Sequence, residues 1–203
     1  MRNRALLIAS LVLMSFAGVT TAASATTIKT TAGATVSTGA GISGSLKAGT
    51  TSTLSGGSAG NITCSSSGFG ASLGMNPATP SVTGRFTSWM SSGCTDTIPL
   101  VTVSSSLMGA NSFTATYLGA SSTLAVYGLV WTVAFTDGRT CMYSPTTEPA
   151  TAQHNSTTSN NEYSFAAVWM TKTGGTSLAC PVYVTWSATY VMTSGGAGIT
   201  IQP

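Results

Sequence analysis

The sequence predicts an all-β protein, an antiparallel β-sandwich or partly closed barrel stapled by two disulfides. Three observations carry that reading. Apolar residues alternate with Ser, Thr and Gly at period two through most of the chain and seldom recur at three-four spacing. Turn residues punctuate the alternation about every eight to twelve positions, as in sandwiches and barrels. The cysteines, Cys64, Cys94, Cys141 and Cys180, are even in number and widely spaced.

Taken in order, residues 26–45 are rich in Thr, Ser, Ala and Gly and read as a low-complexity leader, partly disordered. Residues 46–203 read as a single β domain, with Leu46 and then Thr51 to Leu54 as edge strands. Phe69, Ala71, Leu73 and Met75 share one face of a half-buried strand that Asn76-Pro77 and Thr79-Pro80 end. Val82 to Trp89, Ile98 to Ser105 and Asn111 to Leu118 follow as strands, the last with Phe113, Ala115 and Tyr117 on one side.

Leu124 to Phe135 differs: Leu124, Val126 and Val130 occupy one face, and Tyr127, Leu129, Trp131, Val133 and Phe135 the other. A strand apolar on both faces is expected to be covered from both sides. Asp137-Gly138 marks a tight hairpin into Arg139 to Tyr143. Ser144 to Glu162 reads as a polar loop. Tyr163 to Thr171 then pairs with Leu178 to Thr193, whose face Cys180, Val182, Val184, Trp186, Ala188, Tyr190 and Met192 is the cleanest alternation in the chain. That strand's length implies a bend or a strand shared by two sheets.

The first residues read as a signal peptide. Met1-Arg2-Asn3-Arg4 supplies a positive start, Ala5 to Val19 an uncharged apolar run, and Ala23-Ser24-Ala25 a small-residue cleavage site, placing the signal at 1–25. Cys64 lies too far on to carry a lipid anchor, and no other stretch is long enough to span a membrane as a helix. The expected location is secreted or at the extracellular surface, where paired cysteines persist. Four cysteines allow three pairings; Cys64–Cys94 with Cys141–Cys180 is favoured because each closes a loop within one half of the strand order. Zinc needs close ligand pairs, and none is present, so no metal and no cofactor is expected.

Charges are few. Residues 26–203 carry Lys29, Lys47, Arg85, Arg139 and Lys172 against Asp96, Asp137, Glu148 and Glu162, a net of five minus four, +1. With no basic patch, nucleic acid is not an expected partner. Hydroxyls must keep the surface wet instead.

Candidate chemistry is thin, and no enzyme is expected. Gly56-Gly57-Ser58-Ala59-Gly60 matches G-x-S-x-G, but that motif acts where a strand delivers the serine to a turn opening a helix, and this run shows neither. A serine triad would have to use His154, the sole histidine, with Asp96 or Asp137. A carboxylate pair for glycoside hydrolysis reduces to Glu148 with Glu162, which bracket the polar loop. Among the aromatics, Trp131 and Trp186 lie on well-patterned faces and read as core. Tyr183 lies opposite Trp186, and Trp169 sits among small residues near a hairpin; these two are the candidate ligand-binding residues.

In layout the chain resembles a group of small secreted actinobacterial four-cysteine proteins of unassigned function. The matching pieces are Cys64-Ser65-Ser66-Ser67-Gly68, Ser92-Gly93-Cys94-Thr95, Gly138-Arg139-Thr140-Cys141, and Cys180 followed by Ala188-Thr189-Tyr190-Val191 and Ile201-Gln202-Pro203. The resemblance implies secretion and a disulfide framework, and it transfers no functional residue. The functional expectation is a secreted, non-catalytic extracellular or cell-surface protein acting by surface contact (structural, adhesive or self-associating). The alternatives are a carbohydrate-binding module using exposed aromatics and an outer-envelope β-barrel. Expected partners are a second copy, a polysaccharide or the cell wall.

Overall fold

The computed structural model describes residues 25–98, 103–118, 121–154, 161–176 and 180–203. The signal segment, apart from its last residue, and residues 99–102 of the expected strand at Ile98 to Ser105 lie outside the described residues. The strands are β1 (Thr27–Thr30), β2 (Gly41–Leu46), β3 (Ser52–Ser55), β4 (Asn61–Leu73), β5 (Ser81–Asp96), β6 (Val103–Gly109) and β7 (Ser112–Leu118). After them come β8 (Ser121–Tyr127), β9 (Val130–Phe135), β10 (Thr140–Pro145), β11 (Ala150–His154), β12 (Glu162–Gly174), β13 (Tyr183–Ser194) and β14 (Ala197–Gln202). No helix among the described residues is long and apolar enough to cross a membrane.

Of the two architectures expected, the chain adopts the barrel, and it is a closed antiparallel one of eight strand positions with outer strands added. Four positions are single long strands, β4, β5, β12 and β13. The other four are each filled by two half-strands laid end to end. β3 and β2 sit between β13 and β4; β6 and β7 follow β5; β9 and β8 come next; and β10 and β11 lead to β12, which pairs with β13 and closes the ring. The section expected to be a loose leader is therefore partly wall, since β2 pairs on both sides. The expected edge strands are likewise internal.

The half-strands explain the segment apolar on both faces. Leu124 and Val126 of β8 point inward, and so do Trp131, Val133 and Phe135 of β9. The switch from even to odd positions occurs at Gly128, whose φ is +65°. A Cβ there would also meet the Asn111 side-chain nitrogen at 2.3 Å. Glu148 grips the kink, its carboxylate oxygens accepting from the Gly128 N–H at 3.0 and 3.2 Å. One barrel interior thus takes Leu124 and Val126 from one set and Leu129, Trp131, Val133 and Phe135 from the other, while Tyr127 and Val130 stay half-buried.

Similar switches occur at mid-barrel in β4, β5 and β12. β13 keeps one phase from Val184 to Met192, as its sequence promises; it begins at Tyr183, however, and Val182 is exposed.

The interior is packed with rings. Trp186 stacks on Phe165 at 4.5 Å and meets Trp131 edge-on at 6.0 Å, while Trp89 contacts Phe69, Phe86 and Tyr190. Room for Phe69 comes from Gly44, where a Cβ would fall 2.2 Å from the ring. Small against large is how a narrow barrel fills its taper. The indole N–H groups find inward serines: Trp186 donates to Ser52 Oγ at 3.0 Å, and Trp131 to Ser106. Trp89 donates to the Tyr190 hydroxyl at 3.2 Å, itself 2.8 Å from Ser67 Oγ. Buried polar atoms left unpaired would cost about 1–3 kcal/mol each.

The two ends differ. One carries both disulfides, Cys64–Cys94 across β4 and β5, and Cys141–Cys180 tying β10 to the approach to β13. This is the favoured pairing. At the other end β14 turns back from β13 and pairs with β1, burying Ile28, Ile199 and Ile201. Asn76 holds this cap, accepting from Ile28 N and donating to the carbonyls of Ile28 and Val36 at 2.6–2.8 Å. The Asp137-Gly138 hairpin forms as predicted, with Phe135 N donating to Arg139 O at 2.9 Å. The polar loop is shorter than expected: β10 runs to Pro145, and β11 buries Ala150 and Ala152 inside it.

Candidate functional site

The structure assigns the charged residues weighed for catalysis to structural tasks. Glu148 holds the Gly128 kink. Glu162 is buried and bonded to Lys47 Nζ at 2.9 Å. Asp96 accepts from Val103 N at 2.6 Å. Asp137 bonds Arg139 across the hairpin, and that guanidinium holds its carboxyl below the usual range. His154 ends β11, its ring 5.5 Å from that of Tyr163. The Gly56–Gly60 motif is a hairpin turn with a one-turn 3-10 helix at Gly57–Ala59. A strand does precede it, β3 with its buried Leu54, but a strand also follows, so it is not a strand–turn–helix elbow.

Trp169 and Tyr183 are both on the outer wall, 61% and 60% exposed. They are diagonal neighbours: Trp169 faces Thr185 and Tyr183 faces Thr171 on the paired strands β12 and β13. Such positions are about 7–8 Å apart, within reach of one flat ligand. Together with Ser55, Gly56, Gly57 and Thr185 they border a depression of about 300 Å³.

Tyr183 points outward by plain alternation, because Val184 and Trp186 point in. Trp169 does not. Phe165 of β12 is buried, and strict alternation would carry Trp169 inward with it. Between the pairs Phe165–Ala188 and Val168–Trp186, β12 has two residues, Ala166 and Ala167, against Ser187 alone. This is a β-bulge, one residue extra on one strand. Ala167 sits at φ +48°, and its N–H donates to Ser187 Oγ at 2.9 Å. The extra residue reverses the phase, so Met170 enters the core and Trp169 leaves it. Thr146 fixes the result by donating its N–H to Trp169 O at 2.9 Å.

The hydroxyl residues that complete the site, Ser55 and Thr185, escape sequence reasoning. Each is one hydroxyl among many, and only strand register brings them beside the aromatics. No charged side chain borders the depression. Among the described residues, no group of three or more His, Cys, Asp or Glu side chains could hold a metal ion. No family model, no curated protein and no solved structure matches this chain.

Proposed function

We propose that this chain is an exported, non-catalytic protein that acts by surface contact, and that the contact is made to carbohydrate by Trp169 and Tyr183. The observation that carries the reading is the pairing of two exposed rings on one rigid wall. An aromatic face left in water at this exposure is a platform for the apolar faces of a sugar ring. Thr185 beside it, and Ser55, whose hydroxyl donates to Asn61 Oδ1 at 2.7 Å and is left to accept, supply a polar rim for a sugar. Export is supported by the two disulfides, which persist in oxidising compartments.

Two other readings stand beside it, self-association through strand edges and an envelope β-barrel. Self-association by strand addition needs an open edge; most of the ring is paired on both sides, while the described pairing of β5 with β6 covers only Met90–Leu107 and Ser91–Ser106. Among the described residues β1 alone has a single strand partner, and its other side is bridged at Lys29 to Thr35. An envelope barrel needs an apolar outer wall. Here most large apolar side chains fill the inside and the outer positions of β13 include Thr185, Ser187 and Thr189, while Met90, Leu107 and Leu118 are exposed.

The test is a glycan array probed with the purified protein. We expect hits that Trp169→Ala weakens by roughly tenfold or more, as loss of about 1.4 kcal/mol requires. The fold should survive, because Trp169 gives nothing to the core. Array binding unaffected by Trp169→Ala and Tyr183→Ala together would overturn the proposal.

A further inference from the structure

The depression under Trp169 is one end of a longer feature. A second, wider one of about 610 Å³ lies on the same wall, bordered by Thr51, Thr53, Ala166, Ala167, Ser187 and Thr189. The two abut: Thr185 borders the first and Ser187 the second, two residues apart on the outward face of β13. From Tyr183 to Thr189 the run is about 20 Å at the usual strand rise. It is broad because the β12 bulge places small side chains, Ala166 and Ala167, where longer ones would close it.

Its walls are lined with hydroxyls already held in position. Ser164 Oγ lies 3.0 Å from Thr189 Oγ1, Thr51 Oγ1 lies 3.1 Å from Thr53 Oγ1, and Ser187 Oγ accepts from Ala167 N. No Asp, Glu, Lys, Arg or His borders either depression. An uncharged lining complements an uncharged ligand, since a charged one would surrender its hydration without a counter-charge. A peptide bound in extended form would add to a sheet edge, and both flanks of this track are paired strands.

We infer that the track along β13 binds a linear, uncharged polysaccharide, with one ring stacked at Trp169 and Tyr183 and about three more laid over the hydroxyl run toward Thr189. This rests on the carbohydrate reading above and adds ligand length, direction and charge. Rings beyond the aromatic pair each gain hydrogen bonds from Ser187, Thr53, Thr189 or Ser164, so affinity grows with chain length until the track is full.

The experiment is titration calorimetry with neutral linear oligosaccharides of two to six rings (β-1,4-glucan, chitin-type, β-1,3-glucan and α-1,4-glucan series) and a galacturonate series of equal lengths. We expect a roughly tenfold gain in affinity between two and four rings, equivalent to one or two net hydrogen bonds, and little beyond five. Ala166→Glu and, independently, Thr51→Glu should each remove that gain while leaving two-ring affinity within about twofold. Affinity independent of length, or preference for the galacturonates, would overturn this inference and leave the aromatic platform standing. Absence of binding to every series, the galacturonates included, would overturn both, as would capture of extended peptides at the same track.

Discussion

At the scale of single residues, the barrel interior is governed by how polar atoms are satisfied where water is absent. Three indoles are buried, and each N–H meets an oxygen supplied by an inward Ser or Tyr. Tyrosines share the interior, and burial pushes the Tyr143 phenol up to about 12. Tyr163 and Tyr190 are raised as well, again by burial first. In each case the folded protein keeps a proton that the unfolded chain releases near pH 10. The unfolded state therefore binds fewer protons above that pH, and stability falls as pH rises. As far as the tyrosines contribute, denaturation midpoints should stay level from about pH 6 to about pH 9 and decline between about pH 10 and pH 12. Tyr143→Phe should flatten part of the slope, read by denaturant titration at each pH.

At the scale of elements, the bulges set which side chains meet water. The β12 bulge delivers Trp169 to the surface and Met170 to the core at the expense of holding Ala167 at φ +48°. A β-branched residue has no comfortable place there. We expect Ala167→Val to destabilise by about 1–3 kcal/mol, a fall in melting temperature of several degrees in a chain of this size. Ala166→Val, one position earlier and without positive φ, should stay within about 0.5 kcal/mol of the parent. Thermal denaturation of the two variants side by side measures the difference.

Gly128 acts alike between β8 and β9, and it accounts for the change of phase within Leu124 to Phe135. Periodicity is a property of one strand read alone. A bulge is a relation between two strands, and nothing in Phe165 to Met170 announces that Ala166 and Ala167 share a single partner.

At the scale of the whole molecule, the two closures act at opposite ends. Chain ends cap one mouth through β1 and β14, and disulfides lock the other. The bridges close loops of 30 and 39 residues in sequence separation. On the chain-entropy model each contributes about 3–4 kcal/mol. Replacing Cys141 and Cys180 together by Ser should therefore lower the melting temperature by about 10 °C, with the same circular dichroism spectrum below the transition. A thiol assay on the parent protein should find no free cysteine, as both pairs are formed.

The letters alone pointed to the strand-rich class, to two disulfides with the pairing left among three, to the burial of Trp131 and Trp186, and to Trp169 and Tyr183 as exposed rings. Each depends on local alternation or on spacing along the chain. Tertiary structure decided that the ring closes, that part of the Thr/Ser-rich start belongs to its wall, that the inward phase of Leu124 to Phe135 switches at Gly128, and that a bulge is what turns Trp169 outward beside Tyr183. The reason is common to all four. Register and bulges are fixed by partners far away in sequence, such as β2 and β3 against β13, and they are settled only when those strands pair.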